Sequence, residues 1–483
     1  MEDENQRIPL VQAMQQHVKQ QPVSFHVPGH KSGAIIPMGM EAFKEILSYD
    51  LTEIEGMDDL HDPTGPIRDA EELLAACYKA STSFFLVGGT TVGNLAMVYA
   101  LCSPGDIVLV QRNCHKSILH AVELAGVIPI YVEAQVDEYT GITLGLSEDT
   151  LREALRQYPH AKALILTYPS YYGVSTPVAP IIKTAKQCGL MVFVDEAHGA
   201  HFLLGTPFPP STLTLGADVV VQSAHKTLPA LTMGSYLHLG QDLKESQVHQ
   251  IKRALAIFQS SSPSYLIMAS LDAARAYLHS YTSDQLKDLL EGIEAFKEGI
   301  RAIPQLRLVD WEKSGYSWDP LKVTIRSMSH LTGYELQEKL HQVSIDVELA
   351  DDQHILLVLG LERMGNLLEV LGRMKNLLAP FEIIDHSRTK ATILKQETPL
   401  IEEYHGDIHT YLTRQIPFWK SEGRIAAEAV IPYPPGIPLL YPGQKIHRAI
   451  LEKIHLLQQA GARFQGEDVV VKGICVADLE EER

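Results

Sequence analysis

The chain has 483 residues, 45% hydrophobic and 21% charged, which are ordinary globular proportions with room for roughly three folding units at ~150 residues each. Lys plus Arg number 41 against 59 Asp plus Glu, and the net charge of −18 speaks against nucleic acid and anionic membrane surfaces as partners. Five scattered cysteines without CxxC spacing, an acidic start at Met1-Glu2-Asp3-Glu4-Asn5 in place of a signal peptide, and no apolar run near the ~20 residues of a membrane helix lead us to expect a cytoplasmic protein.

Residues 1–65 read as an N-terminal arm. A short helix is expected over Pro9–Lys19, followed by Phe25-His26-Val27-Pro28-Gly29-His30-Lys31 and a loop rich in Gly, Asp and Pro from Gly56 to Pro66. Residues 66–300 read as a large domain in which short apolar runs alternate with helical ones. Strands are expected over Phe84–Val87, Ile107–Val110, Ile128–Val132, Ala163–Thr167, Met191–Val194, Val219–Gln222 and Ser235–Leu239. Helices are expected over Val92–Leu101, Ser117–Leu124, Glu148–Gln157 and Val178–Cys188, and they dominate Lys244–Arg301. Buried strands separated by helices are the pattern of βαβ units, so the fold class is α/β with a mixed, mostly parallel seven-stranded sheet. The last two strands are too close for a crossover helix, which predicts one antiparallel strand there. Residues 301–380 form a smaller α/β domain: strand Pro320–Arg326, helix Gly333–His341, strands Asp346–Leu349 and Ile355–Leu359, helix Asn366–Leu377. A C-terminal domain follows over 381–483, with a rigid turn at Tyr433-Pro434-Pro435-Gly436-Ile437-Pro438, where three prolines fix φ.

Ligands of open α/β sheets bind beyond the carboxyl ends of the strands, and four polar features fall there. Gly88-Gly89-Thr90-Thr91-Val92-Gly93-Asn94 follows a strand and opens a helix, and glycines, hydroxyls and a helix N-terminus together suit a phosphate. A Gly-Gly turn with a threonine cap is common, and no Lys-Ser/Thr follows as in a Walker loop. His115 ends the next strand, either as a helix-capping residue or as a ring that stacks on a planar cofactor. Asp195 closes the run Val192–Val194, where a buried acid needs a cationic partner such as a protonated pyridine nitrogen. Neighbouring His198 and His201 have HxxH spacing without a third ligand, so no metal site is expected. Lys226, in Ser223-Ala224-His225-Lys226, follows a strand that must be buried and is placed like a Schiff-base nucleophile. Taken together, the four describe a pyridoxal-phosphate site.

On these residues the sequence resembles the fold-type I (aspartate aminotransferase-like) pyridoxal-phosphate enzymes. Within them it resembles the bacterial ornithine/lysine/arginine decarboxylase family. The closer match is carried by Phe25–Lys31, by Asp58-Asp59-Leu60-His61 with Pro63 and Gly65, by Arg112–Ser117, Asp195–Gly199, Ser223–Lys226, Ser262-Pro263-Ser264-Tyr265 and Tyr433–Pro438. The resemblance implies pyridoxal 5'-phosphate held on Lys226, with Asp195 on the pyridine nitrogen and His115 stacked on the ring. It implies Gly89, Thr90, Thr91 and Ser223 at the phosphate, His225 near the phosphate and substrate carboxylate, and His198 beside the ring. Ser262, with Ser261, is implied to reach a neighbouring subunit's phosphate, and hence a homodimer or higher oligomer with the site at the interface. The reaction implied is decarboxylation of arginine, lysine or ornithine to the corresponding amine, a step of polyamine biosynthesis. With the Phe25–Lys31 motif so near the start, a short form without the response-regulator-like domain is expected. Met233 stands where a polar residue is usual in the family.

A basic substrate needs a carboxylate for its distal cation, and Glu53, Asp58, Asp59 and Glu428 are all candidates. The competing reaction is transamination, which usually draws on an arginine in the small domain; Arg326 is the nearest one. A non-catalytic relative would be expected to have lost Lys226, Asp195 or His115, and all three are present.

Overall fold

The computed structural model describes residues 6–311, 315–384, 401–404, 408–432, 436–466 and 468–482, so the first half of the expected Tyr433–Pro438 turn lies outside the described residues. The chain divides into two compact units. The first takes the described residues up to Cys102, together with Met191–Thr206 and Pro210–Thr282. The second takes Ser103–Leu190, Pro207–Pro209 and the described residues from Ser283 on.

Eight strands carry the main architecture: β1 (Thr82–Leu86), β2 (Ile107–Gln111), β3 (Ile128–Val132), β4 (Ala163–Thr167), β5 (Met191–Asp195), β6 (Val219–Gln222), β7 (Ser235–Leu239) and β8 (Ile401–Glu403). Within the first unit the order is β1-β7-β6-β5; β5 and β6 run parallel, and β7 is antiparallel to both β6 and β1. This is the antiparallel strand expected from the short connection. Within the second unit the order is β4-β2-β3-β8, with β2 parallel to β3 and β4. Seven strands were expected; the eighth is β8, which pairs antiparallel with β3. Three residues are too few to show a period, and β8 lies far along the chain from its partner.

Burial explains the strand composition. Val192–Val194 and Val219–Val221 are wholly inaccessible, as in parallel strands covered on both faces. Helix Gly89–Leu101 lies so close to β6 that a Cβ at Gly93 would come within 2.4 Å of Val221 Cγ1. Its far side meets helix Glu245–Phe258, where Tyr99 packs edge-on against Phe258 at 5.3 Å.

In the second unit, a four-stranded antiparallel sheet takes the order Leu349–Ala350, His354–Val358, Lys322–Ser327, Leu306–Leu308. Helices Ser283–Arg301, Gly333–Gln342 and Leu367–Leu378 close over it around Ile300, Ile325, Leu336, Leu340, Ile355 and Met374. The expected strand Asp346–Leu349 shrinks to Leu349–Ala350. Asp351 ends it by accepting the N–H groups of Gln353 and His354 in a tight turn. Toward the C-terminus, strands Tyr411–Ile416, Ile474–Glu482 and Ile425–Ala426 form a third sheet, whose core holds Phe418, Leu440, Ile446, Leu451 and Val476.

Helix Pro66–Tyr78 was not among the expected elements, although Pro66 in its first turn and the spacing of Ile67, Ala70 and Leu74 suit a helix, and it depends on a remote cap. Its N-terminal residue Gly65 has no side chain, and Asp58 supplies the missing acceptor. The Asp58 carboxylate receives N–H groups from Asp59, Thr64, Gly65, Ile67 and Arg68. Burial alone would raise its pKa, but the backbone donors outweigh it and hold the acid below its usual value. Asp58 also sits at φ +77°, a backbone region costly for alanine. Asp58→Ala should therefore cost roughly 2–3 kcal/mol in denaturant unfolding at neutral pH. A group with a depressed folded-state pKa stabilises above its unfolded value and loses that contribution as pH falls through the folded one. The gap between wild type and Asp58→Asn should accordingly close below about pH 4, and a gap unchanged with pH would show that the charge contributes nothing.

Candidate active site

The first unit gathers Asp195, His198, Ser223, His225 and Lys226 after the adjacent parallel strands β5 and β6. Asp195 closes β5 in register with Val221 of β6, and Ser223–Lys226 follows β6 directly. Asp195 is 4% exposed. Its Oδ2 accepts from Asn94 Nδ2 at 2.8 Å and its Oδ1 from the Ala197 N–H at 3.2 Å. Both donors are neutral, so the carboxylate is held in place without being neutralised by them. Lys226, half-buried in the short helix Ala224–Thr227, brings Nζ to 3.2 Å from His198 Nε2. His198 and Asp195 thus face different jobs from one turn, while His201 packs edge-on against Phe202 at 4.9 Å.

The start of helix Gly89–Leu101 has the features that suit an anion. Its N-cap, Gly88, offers no side chain to the first-turn N–H groups. Gly89 takes φ +74° and gives its own N–H to the Met233 carbonyl at 2.9 Å. A Cβ at Gly88 would lie 2.4 Å from Val92 Cγ2, so the cradle excludes side chains there. Thr90 is buried, with Oγ1 in hydrogen-bond contact with Ser223 Oγ and 3.4 Å from Ser235 Oγ, whereas Thr91 is exposed. His225 donates from Nδ1 to the Gly234 carbonyl at 2.9 Å. Burial and then the Lys226 charge lower its pKa below the ordinary 6.5, against the raising effect of that bond, which keeps the ring neutral. Ser262 is exposed on its own turn, its N–H bonded to Ser260 Oγ at 3.1 Å, and is not part of this hydroxyl cluster.

Beneath the site runs a wholly buried polar chain. Gln222 Nε2 donates to Glu196 Oε1 at 2.7 Å, so its Oε1 must accept, which assigns His238 as the Nε2–H tautomer, 3.2 Å away. Ser83 Oγ completes it at His238 Nδ1, 2.8 Å. Burial lowers the His238 pKa to about 3, in keeping with that neutral ring. Glu196 is pushed up to about 7 by burial, opposed by donors from Thr212, Ser211 and Gln222.

The second unit holds His115, at the N-cap of helix Lys116–Ala125. Its Nδ1 accepts from the Ser117 N–H at 3.2 Å. Capping uses a lone pair in the ring plane, so it does not engage the ring faces that stacking would need. The capping and stacking readings of this histidine are therefore compatible.

The four candidate acids separate clearly. Asp58 is used as the cap described above, and Asp59 accepts the His61 N–H at 2.8 Å. Glu428 is exposed. Glu53 takes a hydrogen from Thr52 Oγ1 on Oε2, while its Oε1 is buried with no hydrogen-bond partner among the described residues. Asn94, which is 1% exposed, lies within the expected Gly88–Asn94 stretch but was given no role there. Its signal was an asparagine among Val92, Ala96, Met97 and Val98, where only a specific partner justifies burial.

This donor set fits pyridoxal phosphate: a glycine cradle and uncapped helix start for the phosphate, a buried anion for a ring N–H, and an amine for the aldehyde.

Comparison with known proteins gives the family. A family model described as Orn/Lys/Arg decarboxylase, major domain, matches residues 8–314, and one for the C-terminal domain of the same family matches 399–482. An uncharacterized protein of Bacillus subtilis, YaaO, is 42% identical over 98% of this chain and 99% of its own length. An arginine decarboxylase of the same organism is 34% identical over 95% of each chain. The solved lysine decarboxylase LdcF of Francisella novicida superposes with a TM-score of 0.79 over 97% of this chain and 81% of its own, at 20% identity.

Proposed function

Since the chain belongs to the Orn/Lys/Arg decarboxylase family, we propose that it binds pyridoxal 5'-phosphate on Lys226 and decarboxylates a basic L-amino acid, arginine before lysine or ornithine. The observation that carries the reading is the placement of Asp195 and Lys226 at the ends of the neighbouring parallel strands β5 and β6. When bound, pyridoxal phosphate supplies a protonated ring that takes up the electron pair of the breaking Cα–carboxylate bond. The rest falls to the chain's own residues. Asp195 holds the proton on the ring nitrogen, with Asn94 and the Ala197 N–H fixing the carboxylate. Gly89, Thr90, Thr91 and Ser223 hold the phosphate at the helix start. Lys226 Nζ, beside His198, is the amine that holds the aldehyde and the group that can return a proton to Cα. By family resemblance, His115 stacks on the ring, and neutral His225 lies near the substrate carboxylate.

Arginine is favoured because an arginine decarboxylase is 34% identical to the chain, against 25% for a lysine decarboxylase matched over a similar share of it. Glu53 supports a cationic side chain: a buried carboxylate oxygen without a partner is costly, and a guanidinium would satisfy it. Incubation with arginine, lysine and ornithine should release CO2 and mainly agmatine, with cadaverine and putrescine minor. Glu53→Gln should raise KM for arginine by roughly 100-fold, the scale of a lost charge-assisted contact, with little change in kcat. Keto acid without CO2 would refute decarboxylation, and an unchanged KM would remove Glu53 from the site.

The site is proposed to be completed across a homodimer. The arm exposes Val23, Phe25 and Met38 at 83%, 95% and 98%, apolar surface that a second copy would cover. Light scattering should give a dimer or larger species, and Phe25→Asp with Met38→Asp should shift it toward monomer. A wild-type monomer at assay concentration would refute this.

A further inference from the structure

The sequence singles out Arg112–Ser117, yet only His115 finds a use in the reaction. Arg112 is 8% exposed and directly follows β2, three residues before that histidine. Its guanidinium lies 3.3 Å from Glu133, beyond β3, and 3.2 Å from Glu402, on β8. It also lies over the rings of Tyr404 and Tyr441 at 5.6 and 5.7 Å. An arginine bound by two carboxylates and two aromatic faces is held from several directions at once. The hydroxyl of Tyr441, itself 1% exposed, donates to the Arg112 carbonyl. On the other side of His115, Lys116 Nζ donates to Gln465 Oε1 at 3.1 Å. Glu402, Tyr404, Tyr441 and Gln465 all come from the C-terminal part of the chain, whose own family model begins at 399. The loop that carries His115 is therefore clamped on both sides by residues almost 300 or more positions away.

We propose that the C-terminal domain acts as a positioning element for the active site, holding the His115 loop through Tyr441–Arg112 and Gln465–Lys116. The proposal rests on the reading of His115 as the residue that stacks on the cofactor ring. Tyr441 and Gln465 touch neither cofactor nor substrate in it; they act through His115. A C-terminal domain that merely added stability would leave cofactor binding alone once the protein is folded.

The test uses the full chain loaded with pyridoxal phosphate, comparing wild type with Tyr441→Phe, Gln465→Ala, His115→Ala and the Tyr441→Phe/His115→Ala double variant. The readouts are the cofactor dissociation constant, the position of the bound-cofactor absorbance band and the melting temperature of the apo-protein. Tyr441→Phe and Gln465→Ala should each weaken cofactor binding on the order of tenfold, the scale on which outer residues orienting a ligand act, and should shift the band toward that of His115→Ala. The double variant should bind no more weakly than His115→Ala, because both changes remove one interaction. Gln465 is half-buried, where truncation is expected to cost little stability, so the question stays open to measurement even where Tyr441→Phe lowers the melting temperature. Weakened binding in His115→Ala alone, or additive losses in the double variant, would overturn the clamp while leaving the His115 reading intact. Wild-type binding in His115→Ala would instead refute the stacking reading, and the clamp with it.

Discussion

Lys226→Ala is expected to lower turnover by at least about a thousandfold, which is ~4 kcal/mol of lost transition-state stabilisation. The purified variant should also lack the absorbance band of lysine-bound cofactor. The nitrogen 3.2 Å from Lys226 Nζ belongs to His198, whose imidazole cannot form a lasting bond to an aldehyde. The backbone should be undisturbed, because Lys226 sits half-buried in a four-residue helix whose buried member is Ala224. The apo-protein's melting temperature should then stay within a degree or two of wild type, since substitutions away from core features cost about 0.5 kcal/mol or less. Retention of the band in Lys226→Ala would mean that another amine holds the cofactor.

Asp195→Asn is expected to lower turnover roughly 100- to 1,000-fold, in the range found when one preorganised charge is removed from a reacting site. Asparagine keeps the shape, and its single carbonyl oxygen can still accept the Ala197 N–H, but its NH2 can pair with Asn94 only if that amide turns to present its oxygen, and it cannot hold a proton on the ring nitrogen as an anion does. Stability should move the other way. Asp195 is buried at 4% exposure, and the two donors to its oxygens are neutral, so removing its charge relieves a desolvation cost in the apo-protein. We expect an apo melting temperature equal to or above that of wild type, together with weaker cofactor binding. Equal losses of stability and turnover would instead make Asp195 a structural residue whose effect on catalysis is indirect. Asn94→Ala should reproduce a smaller version of the same pattern, because it frees one carboxylate oxygen without removing the charge.

Much of this site was legible before any coordinates, for physical reasons. A glycine pair between a strand and a helix, an acid closing a run of buried valines, and a lysine directly after another such run each break a local rule of burial or propensity. Such breaks are expected where function requires them. The strands were legible because Val219–Val221 and Val192–Val194 have no alternative to a doubly covered sheet. The cap on helix Pro66–Tyr78 was not, because Asp58 reaches it from seven residues before Gly65 through a left-handed turn. Nor was β8, which three residues cannot announce and which needs the edge of β3 to exist.

The sequence by itself determined the kind of chemistry: an amine, a buried acid and a glycine-rich helix start at strand ends follow from residue types in order along the chain. Only the tertiary structure decided how these groups are held. It put Asn94 on Asp195 and His198 beside Lys226. It used up Asp58 and Asp59 as backbone acceptors and left Glu53 with a buried, unpartnered oxygen. It brought Tyr441 and Gln465 to the loop around His115. The reason is common to all of them: composition and period report on the local environment of a residue, whereas a hydrogen-bond partner far along the chain is set by how the sheets and helices close around it.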